Sequence, residues 1–402
     1  GPYSVYPRTS AIEGNQVVNL CGGPYDFANY RAQTTVVFQN KTPTCQYRAV
    51  GHPIAVAITE GLVDMAAAAI GMDPVEIRRR NMYPDDAYPV TSPAKMKFEG
   101  LSHHASMDKL IEMMDYDALR AEQGQGTEAM LSQVVAEGGG VLPSQVRGST
   151  GDTQGTPYGG GTWASRGAGI GGEAALQAAR ALRGSILEVA AAMLQADAGH
   201  LDIRDGQIVD AETGEDRMPL EELGRIVYFR GDTLPKDLPR ELVQTRHFIT
   251  MEYPFAFTNG VQASYLEVDT DTGVVTLLKH WCVEDCGRVI TPQLVAEQIR
   301  GGIVQGLGGA HYDEDGQLLN GSMADYLVPM AAEMPDMVVG HVETPTKESE
   351  LGAKGAGEAG TAGAPAAVMN AINDALRPLG AQVTEMPFTP DRILRALGKL
   401  QD

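Results

Sequence analysis

The stretch Gly352-Ala-Lys-Gly-Ala-Gly-Glu-Ala-Gly-Thr-Ala-Gly-Ala-Pro365 constrains this chain more than any other. It sets one carboxylate, Glu358, among five glycines and other small residues, then runs into a helical pattern over Ala366–Leu376. Glycine lets backbone N–H groups approach a bulky ligand and tolerates φ > 0. A helix starting just beyond turns the positive end of its dipole toward an anion. Three readings stand side by side: a nucleotide-binding turn, a structural glycine turn, and a loop holding a catalytic carboxylate. Gly355-x-Gly357-x-x-Gly360 fits the dinucleotide fingerprint, but that motif abuts a strand and has an acid about 20 residues on. Here the polar stretch 343–351 separates the loop from the apolar run Met337–Val342, and the nearest candidate acid, Asp374, lies inside the helix. The catalytic loop fits best.

A chain of 402 residues is long enough for two or three domains. Its net charge of −21 argues against nucleic acid and anionic membrane surfaces as partners. The apolar runs are broken before they reach bilayer-spanning length, and the first residues carry no secretion signal, so a cytoplasmic protein is expected. Cys21, Cys45, Cys282 and Cys286 lack the spacing of zinc or iron–sulfur sites and read as small buried hydrophobes. The eight histidines show no metal spacing either, and His103-His104 reads as a solvated loop pair.

Along the chain, Val17–Asn40 reads as strands and Gly51–Ile70 as a helix stopped by Gly71. Asp73-Pro74 opens a short helix whose Arg78, Arg79 and Arg80 read as a solvated end. Helices are expected over Glu128–Glu137, Glu173–Ala198 and Val295–Gly308. Asp205-Gly206 marks a hairpin within Leu201–Val209, and Asp269–Gly273 turns Val261–Val268 into a strand over Val274–Val283. Helices and strands interleave without a βαβ period, so the expected class is α+β.

Several segments, in order, resemble the molybdopterin-binding large subunit of the molybdenum hydroxylases, the xanthine dehydrogenase and aldehyde oxidase family. They are Thr42–Pro53 with Tyr47-Arg48, Gly124-Gln125-Gly126-Thr127, Gly151–Arg166, Val283–Pro292, Gln298–Gly308, Asp325–Pro329, Lys354–Glu358 and Thr389–Leu394. The resemblance covers nearly the whole chain and implies the family's fold: residues 1–120 as part of a first cofactor-binding domain and 121–402 as a second, with approximate, interleaved boundaries. The family's substrate-channel domain, its GG-x-FG loop with a glutamine beside the metal, and a strand-rich segment after Arg120 are not found here. The chain is therefore expected to be one part of a split subunit or an ordered part of a longer one.

The resemblance implies hydroxylation of an electron-poor carbon, R–H plus water giving R–OH with two electrons and two protons. Glu358 matches the family's base, and burial in the glycine pocket would fit a carboxylate for that task near neutrality. Arg48 matches the arginine facing substrate, where a guanidinium stabilises developing negative charge; a backbone-capping or salt-bridged arginine is the alternative. Implied cofactor contacts are Gly124, Gln125, Gly126, Thr127, Thr153, Ala164, Ser165, Arg166, Gln298, Gln305, Lys354, Gly355, Ala356 and Gly357. Lys354 would offset phosphate charge, with a surface lysine as the alternative; for Gln125, Thr127, Thr153, Ser165, Gln298 and Gln305, turn or helix-packing duty stands as the alternative. The implied cofactor is molybdopterin cytosine dinucleotide, its molybdenum held through the pterin dithiolene and by no protein ligand. Iron–sulfur clusters and FAD would sit on partner subunits, and a further chain would supply the missing N-terminal part. Aerobic carbon monoxide dehydrogenases of this family carry a copper-binding cysteine directly after Tyr-Arg, where this chain has Ala49. Aldehydes and N-heteroaromatics are thus the expected substrates. A non-catalytic scaffold subunit is the alternative.

Overall fold

The computed structural model describes residues 11–37, 47–114, 127–148, 162, 164–235, 237–238, 241–250, 256–308, 329 and 334–400. The chain divides into two compact units. Unit 1 combines residues 1–125, 255–346 and 354–402; unit 2 combines 126–254 and 347–353.

Unit 1 opens with α1 (Ala11–Leu20), α2 (His52–Ile70), α3 (Pro74–Asn81), the two-residue strands β1 (Val90–Thr91) and β2 (Lys97–Phe98), and α4 (His103–Met113). Local signals set most of these ends. Gly71, at φ 64°, closes α2, and the Asp73 carboxylate accepts the Val75 and Glu76 N–H groups to start α3. Arg78 is not solvated as the sequence suggests: it is paired with Glu60 at 2.8 Å and Asp64 at 2.7 Å on α2. The strand reading of Val17–Asn40 is overturned over its described residues: Val17–Leu20 complete α1, and residues 21–37 form turns and irregular chain with only isolated bridges. No bilayer-spanning run was expected, yet α2 is long and apolar enough by composition, with a mean hydropathy of 1.6. It exposes Ile54, Ile58, Leu62 and Met65, while its acids Glu60 and Asp64 are engaged by Arg78.

Unit 2 holds α5 (Thr127–Gly139), α6 (Glu173–Leu194), the antiparallel sheet β3 (Leu201–Arg204), β4 (Gln207–Asp210) and β5 (Asp216–Pro219), and α7 (Leu220–Phe229). Asp205 and Gly206 take φ 51° and 80° between β3 and β4, the left-handed pair a two-residue hairpin requires. Ile186, Val189 and Ala190 of α6 close over Ile203 and Ile208 of the sheet and over Leu223 and Val227 of α7.

The chain returns to unit 1 with β6 (Asn259–Val268), β7 (Val275–Asp285), α8 (Pro292–Leu307), β8 (Asp336–His341), α9 (Ala359–Leu376) and α10 (Pro390–Ala396). β7 pairs antiparallel with β6 and parallel with β8. Alternate side chains of β7 serve opposite faces: Cys282 packs with Ile299, Ile303 and Ala364 of α8 and α9, while Trp281 and Val283 pack with Leu110 of α4. The sheet is thus covered on both faces, and the α+β class holds. β8 ends at His341, so no strand runs directly into Gly355, and the nucleotide-fingerprint reading finds no support.

α9 begins earlier than its sequence suggests, since Gly360 and Gly363, taken as loop, already form its first turns. A Cβ on Gly360 would lie 2.1 Å from the Ile299 carbonyl oxygen and 2.9 Å from the Ile303 nitrogen, so this glycine serves a close helix crossing. Gly360→Ala is expected to destabilise the chain by about 1–3 kcal/mol, the usual cost of overpacking against backbone. A fall in the denaturant midpoint with an unchanged slope would register it.

Candidate functional site

Residues from the two ends of the sequence meet at the start of α9. Glu358 is the residue flanking that helix at its N-terminus, and its Oε1 accepts the Ala49 N–H at 3.2 Å across a separation of 309 residues. Next to it, Arg48 donates from Nε to the Gly357 carbonyl at 2.6 Å, from a terminal nitrogen to Gln305 Oε1 at 3.3 Å, and from the other to the Gln298 carbonyl at 3.1 Å. Gln298 Nε2 donates to the same Gly357 carbonyl at 3.3 Å. The Tyr47 hydroxyl donates to the carbonyls of Gln305 and Gly308. Of the sequence candidates, the structure brings together Arg48, Gln298, Gln305, Gly357 and Glu358.

The backbone here is unusual. Ala49, Val50 and Gly51 take φ values of 72°, 29° and 79° in succession. Left-handed non-glycine residues cost about 1–3 kcal/mol each and persist only where the surroundings over-determine them. The surroundings do so: Ala49 is buried, and the Arg48 and Ala49 hydrogen bonds pin the turn on both sides. Burial lowers the pKa of Arg48, and the Glu358 carboxylate offsets that only in part. Glu358 itself is half-buried, short of the full burial its glycine setting suggests.

Lys354 behaves differently from its sequence reading. It is 4% exposed, and its Nζ donates to the Gly100 carbonyl at 2.8 Å while its N–H bonds the Cys286 carbonyl at 2.7 Å. Burial lowers its pKa, and Asp285, Glu99, Cys286 and Glu284 pull the other way. Its charge therefore serves a buried network that sequence reasoning missed. Asp285, 0% exposed, accepts from the Ser102 hydroxyl, Gly287 N–H at 2.9 Å and Thr344 N–H at 3.0 Å. Asn259 donates to Ser106 at 3.2 Å and accepts the Ser102 N–H at 3.1 Å. The signal was in the sequence: Glu284-Asp285 sits where an apolar strand ends, inside a segment singled out only as a family mark. His103 also departs from its reading as a solvated residue. It is buried, its Nδ1 lies 3.0 Å from the Tyr88 hydroxyl, and burial lowers its pKa to about 4.

Glu284 carries a pH consequence. It is 2% exposed, and burial raises its carboxyl from 4.5 to about 8, with Asp285 adding to the rise while Thr258 and Lys354 oppose it. Between those pH values the folded chain keeps a proton that the unfolded chain has released. Stability from this group is therefore full below 4.5 and is lost as pH rises through about 8. Glu284→Gln, which cannot ionise, is expected to match the parent's melting temperature near pH 5 and exceed it increasingly toward pH 8.5. Thermal melts across that range provide the check.

Other candidates lie elsewhere. Ala164 and Ser165, with φ 51° and 55°, precede Arg166 and a widened helical turn over Gly167–Gly172 in unit 2. Left-handed Ser165 is followed by Arg166 at φ −80° and ψ 3°, and such an alternation of hand turns successive N–H groups toward one side, a backbone arrangement that suits an anion. Gly355 and Ala356 lie half-buried between Lys354 and Gly357. Gly124, Gln125, Gly126 and Thr153 lie outside the described residues, as does Cys45; Thr127 is described only as the first residue of α5. Among the described residues, no three His, Cys, Asp or Glu side chains gather as a metal site.

Comparison with known proteins bears on this geometry. A molybdopterin cofactor-binding domain family matches residues 120–335, and a second family of the same description matches residues 1–82. The nicotine 6-hydroxylase large subunit of Paenarthrobacter nicotinovorans is 32% identical over 98% of this chain and 56% of that protein. Subunit gamma of the 6-hydroxypseudooxynicotine dehydrogenase complex of the same organism is 31% identical over 92% of this chain and 54% of its own length. Among solved structures, quinoline 2-oxidoreductase from Pseudomonas putida 86 superposes with a TM-score of 0.85 at 29% identity, covering 98% of this chain and 58% of that one. Carbon monoxide dehydrogenase large chains also match, for example that of Hydrogenophaga pseudoflava at 24% identity. The chain thus spans about half the length of the curated relatives it matches.

Proposed function

Because the chain belongs to the molybdenum hydroxylase family through its molybdopterin cofactor-binding domains, we propose that it is the catalytic cofactor-binding part of a hydroxylase. Its substrate would be the electron-poor carbon of an N-heteroaromatic ring or an aldehyde, converted as R–H plus water to R–OH, two electrons and two protons. The relatives named for nicotine and quinoline favour the heteroaromatic. The observation carrying this reading is the cluster of Arg48, Gln298, Gln305 and Glu358 around the Gly357 carbonyl and the strained 49–51 turn.

The donor set suits a pterin with phosphates. Such a ligand needs short neutral donors and exposed backbone N–H groups more than a cage of anionic ligands. In unit 1 the small residues Gly355, Ala356 and Gly357 have that character; in unit 2, taken by itself, the turn at Ser165 and Arg166 has it as well. By the family resemblance alone, cofactor contacts are assigned to Gln298 and Gln305 and to Gly124, Gln125, Gly126, Thr127, Thr153, Ala164, Ser165 and Arg166. When bound, the molybdenum cofactor, in its cytosine dinucleotide form, supplies the acceptor for two electrons. Glu358 takes the proton from the water-derived oxygen as that oxygen attacks carbon. Arg48 holds the Gly357 carbonyl beside Glu358 and faces a substrate heteroatom, stabilising negative charge on it. Lys354 acts from beneath, fastening the loop to Gly100.

Electrons would leave through an iron–sulfur subunit and an FAD subunit. A cytoplasmic location accompanies this reading. Purification of the native complex, with metal, pterin and flavin analysis, tests it. Stoichiometric molybdenum with an N-heteroaromatic-dependent dye reduction is expected. A complex lacking both molybdenum and pterin would establish the scaffold alternative instead.

A further inference from the structure

A second hydrogen-bond chain reaches the first turn of α9 from the sheet. Ser264 on β6 and His280 on β7 are direct cross-strand partners, and the Ser264 hydroxyl lies 2.9 Å from His280 Nδ1. His280 Nε2 lies 3.1 Å from Gln262 Oε1. Gln262 Nε2 donates to the Gly360 carbonyl at 3.2 Å and the Ala359 carbonyl at 3.5 Å. The polarity of this chain is forced from its far end. Carbonyl oxygens only accept, so the Gln262 NH₂ group faces them and its Oε1 faces His280. His280 Nε2 must then carry hydrogen. The ring is 1% exposed and burial holds its pKa near 4, so Nδ1 is bare at neutral pH and accepts from Ser264.

The turn receiving these bonds has few means of holding itself. Pro365 brings no N–H, so the Thr361 carbonyl has no partner in the helix ladder. The residues before it, Ala359 to Ala364, are small, and three contacts stand in for their side chains. Gly360 presses on α8, Gly363 leaves only 3.0 Å between an added Cβ and the Gln262 amide, and the Thr361 hydroxyl donates to the Gly302 carbonyl at 2.9 Å.

We infer that Gln262, oriented by His280 and Ser264, is a positioning residue that fixes the first turn of α9 and with it the Glu358 carboxylate. This rests on the reading of Glu358 as the base. This hydrogen-bond relay acts through the Ala359 and Gly360 carbonyls.

The test has two readouts. In the assembled, molybdenum-loaded complex, Gln262→Met and His280→Phe are expected to lower kcat by about 10–10²-fold with KM nearly unchanged, as for a misplaced catalytic group. His280→Gln, which can still donate to Gln262 and accept from Ser264, recovers most of the loss. The double variant is no worse than Gln262→Met alone, because both act along one chain. Independently, amide hydrogen exchange in the peptide covering 357–366 accelerates about tenfold in Gln262→Met, while the β3–β4 hairpin is unchanged. Ser264→Ala, the mildest change, gives a smaller loss in the same direction and serves if the His280 variants do not fold. Unchanged exchange in Gln262→Met overturns the inference whatever Glu358 does. Full turnover in Glu358→Gln would overturn the base assignment instead.

Discussion

Glu358→Gln is expected to lower turnover of the molybdenum-loaded complex by about 10²–10⁴-fold, the range contributed by a positioned general base. The substitution is close to isosteric. Glutamine's Oε1 can still accept the Ala49 N–H that Glu358 accepts now, so the strained turn at Ala49–Gly51 keeps its partner. Arg48 retains its bonds to Gly357, Gln305 and Gln298, since none involves the carboxylate. What disappears is an oxygen able to take a proton. Rapid mixing of the oxidised complex with substrate should show slow reduction at saturating substrate, with metal content and melting temperature near those of the parent. Parent-like reduction would remove Glu358 from the chemistry.

The largest loss of stability is expected from Asp285→Ala, about 3–5 kcal/mol, the cost of breaking a buried charge network from one side. Three donors converge on that carboxylate, from Ser102, Gly287 and Thr344, and none gains a substitute from a methyl group. Lys354 meanwhile loses the acid that most favours its charge in a buried setting. Asp285→Asn keeps the shape and one acceptor and should cost distinctly less. Urea unfolding of both variants, compared with the parent, reads the difference directly; equal stability for Asp285→Ala would refute the network. Because Lys354 lies four residues before Glu358 on the same loop, Asp285→Ala should also lower activity in the fraction that remains folded.

Local signals in the sequence were enough for elements whose ends are decided locally. Asp73 caps α3, Gly71 ends α2, and Asp205-Gly206 turns the β3–β4 hairpin, each through atoms within a few residues. Elements decided by packing were misread. The Val-Val pair in α1 favours a strand by propensity but lies in a helix. Gly360 of α9 resembles a turn residue because the helix it faces, α8, is distant in sequence and only that helix's backbone at Ile299 and Ile303 requires it. The site shows the same division. Arg48, Gln298, Gln305 and Glu358 could be picked out because their neighbours form a recognisable order. The inward turn of Lys354 and the roles of Gln262, His280 and Asp285 depend on which strand face meets α4 and which meets α9, and one sequence does not encode that choice visibly.

The hydrogen bond between Ala49 and Glu358 joins residues 309 positions apart, and unit 1 is assembled from three separate stretches of chain. During synthesis the arginine turn leaves the ribosome long before its carboxylate exists. Residues 47–51 must wait, without the contacts that make their left-handed backbone tolerable, until α9 has emerged. Nascent chains stalled before residue 359 should therefore expose this region to proteases and chaperones, while the unit 2 hairpin can already be closed.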